Sequence, residues 1–232
     1  MGNGAILLAA GAGTRMQGAT IDKILHPILG KPLFQYSLEA FMDSGMFSEI
    51  VIVYREDQQK EALEQITHEV IFDSSQIIWC LGGQERMDSV RNGLDALSVS
   101  ADLIFIHDCA RPMIKASQLR DLAENAQTHG AACLAHSVSD TLKRTDGNSP
   151  SALSSVNRDN LWAMETPQVF KFSDLRDAYE KALDEGIHLT DDTSAIALLG
   201  KRVQLVNNSR PNPKITTPED LDRLAILLQL DL

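Results

Sequence analysis

Ala5-Ile-Leu-Leu-Ala9 runs directly into Ala10-Gly-Ala-Gly-Thr-Arg-Met16. The first five residues make a short apolar run of strand length. The glycines that follow end it in a loop whose backbone N–H groups can come close to a phosphate chain. Two commoner glycine motifs fail here on spacing. A dinucleotide fingerprint needs a third glycine where Met16 stands, and a P-loop needs Gly-Lys-Ser/Thr where Arg15 and Met16 intervene. A glycine turn without a ligand stays open on this stretch alone. Arg15 and Lys23 favour a ligand, because they flank Gln17-Gly-Ala-Thr20, a segment expected to fold over a triphosphate. Phosphoryl and nucleotidyl transfer depend on positioning and on cations at the developing charge.

Outward from this stretch the pattern alternates strand and helix. Strands are expected at Glu49–Tyr54, Ile77–Leu81, Leu103–His107 and Ala131–Ala135. Helices are expected from Pro32 to Gly45 and over Gln58–Gln65, Glu85–Leu97, Ser117–Thr128, Ser173–Glu185 and Asp192–Leu199. The final helix is announced by Thr217 as N-cap, Pro218 at the first helical position and Asp220 two residues on. Such repeated βα order predicts a mostly parallel sheet covered on both faces. Ser137–Leu161 breaks the rhythm with a long polar excursion, read as a hairpin arm with Leu153 and Val156 to bury.

The 232 residues carry 44% hydrophobic and 23% charged side chains, ordinary proportions for a globular chain. A net charge of −11 argues against nucleic-acid partners, which call for a basic footprint. No membrane partner is expected, since the apolar run Ala5–Ala10 has no basic leader and is too short to span a bilayer. Cys80, Cys109 and Cys133 are odd in number and widely spaced, as in reduced thiols, so a cytoplasmic location is expected.

A second chemical signal is His107-Asp-Cys-Ala-Arg-Pro112, at the end of another apolar run. Asp108 is placed to hold Mg²⁺, a hard cation that takes carboxylate oxygens while keeping phosphate and water ligands. Arg111 is expected to engage an acceptor phosphate or to orient Asp108 by a forked ion pair, and His107 to be a core residue.

The glycine loop with Lys23 resembles the signature of sugar-phosphate nucleotidyltransferases. Gly82-Gly-Gln-Glu-Arg-Met-Asp-Ser-Val90, His107–Pro112, Asp140-Thr-Leu-Lys143, Asn157-Arg158 and Thr166-Pro-Gln168 narrow the resemblance. With Leu189-Thr-Asp-Asp192 and Lys214-Ile-Thr216, they are similar to the 2-C-methyl-D-erythritol 4-phosphate cytidylyltransferases. That resemblance implies a Rossmann-like, three-layer αβα nucleotidyltransferase fold with a mostly parallel central sheet and a protruding β-arm. It places one domain over residues 1–232, with residues 137–161 as a dimerisation arm. The implied reaction moves CMP from CTP to the polyol phosphate with Mg²⁺, releasing pyrophosphate, in a homodimer.

The same resemblance assigns roles. Arg15 and Lys23 stabilise the transition state, and Ala10, Gly11, Gly13, Gly83, Ser89 and Lys214 bind the nucleotide. Asp108, Arg111, Thr141, Arg158 and Thr166 bind the acceptor, with Lys214 also near its phosphate. The chain departs from the family's usual pattern at Leu8 and Asp22, where prolines are usual, and at Asp192, where Glu is commoner. Ile24–Ile28 and Gly30-Lys-Pro32 look instead like uridylyltransferases. Other readings are a cytidylyltransferase for another polyol phosphate, such as ribitol 5-phosphate, and a non-catalytic nucleotide sensor.

Overall fold

A computed structural model describes residues 2–16, 22–71, 74–98, 101–145, 147 and 154–230. The segment Gln17–Thr20 and the arm residue Leu153 lie outside the described residues. Among the described residues seven strands form the central sheet: β1 (Asn3–Leu8), β4 (Phe47–Tyr54), β5 (Ile77–Leu81), β6 (Leu103–Asp108), β7 (Ala131–Ser137), β10 (Trp162–Lys171) and β11 (Gln204–Asn207). Their order is β11-β7-β10-β6-β1-β4-β5, and every neighbouring pair is parallel except those that β10 makes with β6 and β7.

Alternation along each strand sends its two sets of side chains into two cores. Leu7, Ile52 and Phe105 face α1 (Leu33–Ser44), α2 (Asp57–Val70), α4 (Ala116–His129) and α7 (Pro218–Leu230). Ile6, Val53 and Ile104 face α3 (Arg86–Ala96), α5 (Phe172–Asp184) and α6 (Asp192–Leu198). The three-layer αβα expectation holds. At α7 the expected cap is made: Asp220 Oδ2 accepts the backbone N–H groups of Thr216 and Thr217 at 2.8 and 2.9 Å.

Several expectations need correction. Pro32 is the residue before α1 and not its first helical position. It ends β3 (Lys31–Pro32), which pairs with β2 (Pro27–Ile28) in a small hairpin not foreseen. Strand β10 was not expected either; Pro167 lies inside it, and proline lacks the N–H a central strand must donate. The structure accommodates it with an irregularity: the pairing with β7 breaks between Met164 and Gln168. The same break releases Glu165 and Thr166 from the ladder with β7 and turns them to other work. The predicted arm forms as an antiparallel pair, β8 (Leu142–Arg144) with β9 (Ser154–Val156), closed at its base by Val138 N–H donating to the Leu161 carbonyl at 3.0 Å.

His107, on β6, is fully buried. Its Nε2 lies 3.1 Å from the Arg111 carbonyl, which can only accept, so the network assigns the ring proton to that nitrogen. Nδ1 then accepts the Thr166 hydroxyl at 3.1 Å. Burial pushes the imidazole down from 6.5 to about 4; nearby Asp108 opposes that shift and Arg111 assists it. A base that folding keeps neutral stabilises the fold fully above its unfolded value and progressively less as pH falls toward its folded value. Stability should therefore drop between about pH 6.5 and pH 4 by about 3 kcal/mol. Urea unfolding across that range should show the loss in the wild type and a smaller one in His107→Asn; equal slopes would remove His107 as the cause.

Candidate active site

The chain runs from β1 outward through β4 to β5, then returns to the other side of β1 as β6. That reversal opens a crevice between the C-terminal ends of β1 and β6, the place where open α/β sheets bind ligands. A cavity of about 430 Å³ lies there, lined by Ala10, Gly11 and Gly13 after β1, Gly83 after β5 and Asp108 at the end of β6. Arg15, Lys23, Ser89 and Lys214 also line it. Nine of the expected site residues are thus brought together.

Local chemistry explains the glycines. Gly13 sits at φ +61°, a conformation other residues rarely adopt, and its carbonyl accepts Met16 N–H at 2.8 Å to start a 3-10 turn. A Cβ on Gly82 would meet that of Ala10 at 2.8 Å, and one on Gly83 would meet that of Asp88 at 2.1 Å. Glycine at 82 therefore lets the two loops approach each other, and glycine at 83 lets its own segment fold closely onto the first turn of α3. Gly83 N–H donates to Ser89 Oγ at 3.1 Å, which ties the loop to the first turn of α3. Asp88 accepts Glu85 N–H at 3.1 Å and completes the cap.

Asp108 is the electrostatic centre. Its Oδ2 accepts Lys214 Nζ at 2.5 Å and its Oδ1 accepts Arg86 Nε at 3.2 Å. Burial alone would raise its pKa, yet Arg86, Lys214 and Arg111 hold it well below the usual carboxylate range. Arg86 reaches on to the buried Asp192 at 2.8 Å, and Tyr179 O–H donates to that carboxylate at 2.5 Å. Although burial alone would lower it, the Arg86 pKa is raised, chiefly by Asp192 and Asp108. Lys23 donates to the Ile215 carbonyl at 3.2 Å. Burial lowers its pKa, and Lys214 and Arg15 push it the same way against Asp108 and Asp22.

The residues predicted for the acceptor fall differently. Arg111 makes no ion pair with Asp108; Asp108 is paired instead with Arg86, through a single Nε contact and not a fork, and with Lys214. Its guanidinium instead donates to the carbonyls of Asn212 at 2.8 Å and Met164 at 3.4 Å, and its buried Nε has no partner among the described residues. Thr166 is buried behind the site, accepting Asp108 N–H at 3.0 Å. Thr141 and Arg158 are exposed and do not line the cavity; Arg158 donates to the Ser139 carbonyl. Sequence reasoning missed Arg86 and Arg55, both lining the cavity. Arg86 stood inside the motif Gly82–Val90, but only the folded chain shows the two carboxylates it bridges.

Among the described residues no group of three His, Cys, Asp or Glu could hold a metal ion by itself. Asp108 fits the more modest demand of a hard cation that takes one carboxylate and completes its shell with phosphate and water, since it is ionised and lines the cavity. Among the described residues no helix is long and apolar enough to cross a membrane.

Comparison with known proteins agrees with this geometry. The sequence model of the 2-C-methyl-D-erythritol 4-phosphate cytidylyltransferase family matches residues 4–229. The chain is 38% identical over 221 residues to the enzyme of that name from Clostridium novyi, covering 94% of this chain and 93% of that one. It is 38% identical over 216 residues to the chloroplastic enzyme of Oryza sativa, covering 93% and 71%. Among solved structures, 4-diphosphocytidyl-2C-methyl-D-erythritol synthase from Anaerococcus prevotii superposes with a TM-score of 0.83 at 26% identity, over 98% of each chain. The cytidylyltransferase of Thermus thermophilus superposes with a TM-score of 0.78 at 27% identity, over 99% of this chain and 100% of that one. The chain belongs to the 2-C-methyl-D-erythritol 4-phosphate cytidylyltransferase family.

Proposed function

We infer that the chain transfers CMP from CTP to 2-C-methyl-D-erythritol 4-phosphate, releasing pyrophosphate, in non-mevalonate isoprenoid precursor synthesis. The observation that carries this reading is the convergence of Arg15, Lys23 and Lys214 with ionised Asp108 at the switch crevice of a family member. An oxygen of the acceptor phosphate attacks the α-phosphorus of CTP. The new O–P bond forms as the bond to the bridging oxygen breaks, and pyrophosphate leaves with that electron pair. An acceptor phosphate is already anionic at neutral pH, so the residues need to supply no strong base.

In this reading Arg15 and Lys23 neutralise charge at the α-phosphorus while the loop Ala10–Gly13 cradles the phosphates. Gly83 and Ser89 read cytosine. The Ser89 oxygen is held by Gly83 N–H, so its own proton stays available to a base. A divalent cation held at Asp108 would supply charge neutralisation for the triphosphate, and Lys214, which lines the cavity, would orient the acceptor, whereas Arg111 is tied to backbone carbonyls behind it. Thr141 and Arg158 belong, we propose, to the opposite site of a homodimer. Support comes from their exposure in an arm whose strands pair, among the described residues, only with each other. A cytoplasmic location accords with three free thiols.

Three outcomes are expected. Lys23→Ala should lower kcat by roughly 10²-fold with little change in folding; a raised KM for CTP at normal kcat would take Lys23 out of the chemical step. Pyrophosphate release should require CTP with methylerythritol phosphate; comparable turnover of UTP, or of ribitol 5-phosphate, would reassign the specificity. Lys23→Ala and Arg158→Ala chains, each inactive alone, should recover about a quarter of wild-type activity when mixed after unfolding. Random pairing makes about half the dimers mixed, each with one intact site. No recovery would place Arg158 in its own subunit's site.

A further inference from the structure

We propose that Asp22, Arg55 and Gln59 form a positioning device for Lys23, fixing the point and direction from which its ammonium enters the cavity. The inference rests on the reading of Lys23 as the cation at the α-phosphorus. Asp22 directly precedes Lys23, and its side chain is only 5% exposed. Its Oδ2 accepts Gln59 Nε2 at 2.6 Å and an Arg55 guanidinium nitrogen at 3.1 Å. Its Oδ1 reaches over Lys23 to accept Ile24 N–H at 3.0 Å, a local turn that holds the lysine backbone between two fixed neighbours. Ile24 is itself buried, and its carbonyl accepts Phe34 N–H at 2.9 Å.

Gln59 makes the device more than a local turn. It is 2% exposed on α2, and both ends of its amide are used. Besides holding Asp22, its Nε2 donates to the Ala9 carbonyl at 3.2 Å, just ahead of the glycine loop. Its Oε1 accepts Arg55 N–H at 2.6 Å, just past β4. One buried amide therefore sets three things against each other: the start of the phosphate loop, the end of β4 and the flank of Lys23. Arg55 supplies the countercharge that a carboxylate so enclosed requires. Neither Asp22 nor Gln59 lines the cavity, so each can act on the reaction only through what it holds.

A misplacement of about an ångström at a reacting group costs up to roughly 10²-fold in rate, and a partly restrained lysine should lose about 10-fold. The test is a double-mutant cycle in the full chain, with CTP and methylerythritol phosphate as substrates. Asp22→Ala and Gln59→Met should each lower kcat about 10-fold while KM for CTP stays within about 2-fold. In a Lys23→Ala background neither should cost more than about 2-fold further, because the group they position is gone. An unchanged kcat, or the same loss in both backgrounds, overturns the proposal and leaves the cluster a structural one. Gln59→Met, nearly isosteric, carries the test by itself if Asp22→Ala does not fold. A Lys23→Ala chain with normal kcat overturns the reading of Lys23, and this proposal with it; a damaged Lys23→Ala chain with additive partners overturns this proposal alone.

Discussion

Asp108 is an ionised carboxylate with little access to water, and the site is arranged around its need for countercharge. An enclosed carboxylate with only one partner would be costly, and this one has two, drawn from distant parts of the chain. Arg86 comes from the first turn of α3 and Lys214 from the segment between β11 and α7. Satisfying one charge at the end of β6 therefore draws together the loop proposed to read the base and the segment proposed to meet the acceptor. Thr166 fixes the Asp108 backbone from behind, and His107 stays neutral against the same hydroxyl.

The chain is acidic overall, with a net charge of −11, yet Arg15, Lys23, Arg55, Arg86 and Lys214 all line one cavity. Mutual repulsion among them is part of the reason the Lys23 pKa is lowered. Asp22 and Asp108 lie near enough to oppose that lowering. A triphosphate entering such a crevice meets a concentrated positive field against a negative background, which favours both capture and orientation. Arg111 follows a different logic. It is buried among carbonyls, and Glu165 provides nearby charge while accepting the side-chain amides of Asn208 and Asn212 at 2.9 and 2.8 Å.

Much of this was legible in the sequence where local chemistry leaves few choices. Strand β1 followed by glycines, the cations after it and Asp108 at a strand end each read correctly because spacing alone places them. Strand β10 was not legible, since Pro167 argues against a central strand until the break in its pairing with β7 is seen. The four-residue β11 lies at the sheet edge with half-exposed side chains and gives too little alternation to read. Arg86 and Gln59 sat in plain view, but their partners are 106 and 37 positions away along the chain. Asp22 was noticed only as a departure from the family's usual proline, and its three partners give that departure a physical content.

If Asp108 is the hub, its charge must persist where ordinary aspartates begin to lose theirs. The direct measurement is the carboxyl ¹³C shift of Asp108, followed by NMR from pH 7 down to the acid limit of the folded chain. The account predicts no inflection of the size that carboxyl protonation gives near the ordinary value of about 4, since Arg86 and Lys214 hold the group ionised; protonation of neighbouring His107 leaves only a smaller displacement there. A protonation-sized inflection at or above that value in the folded protein would contradict it, and with it the claim that this one carboxylate organises the site.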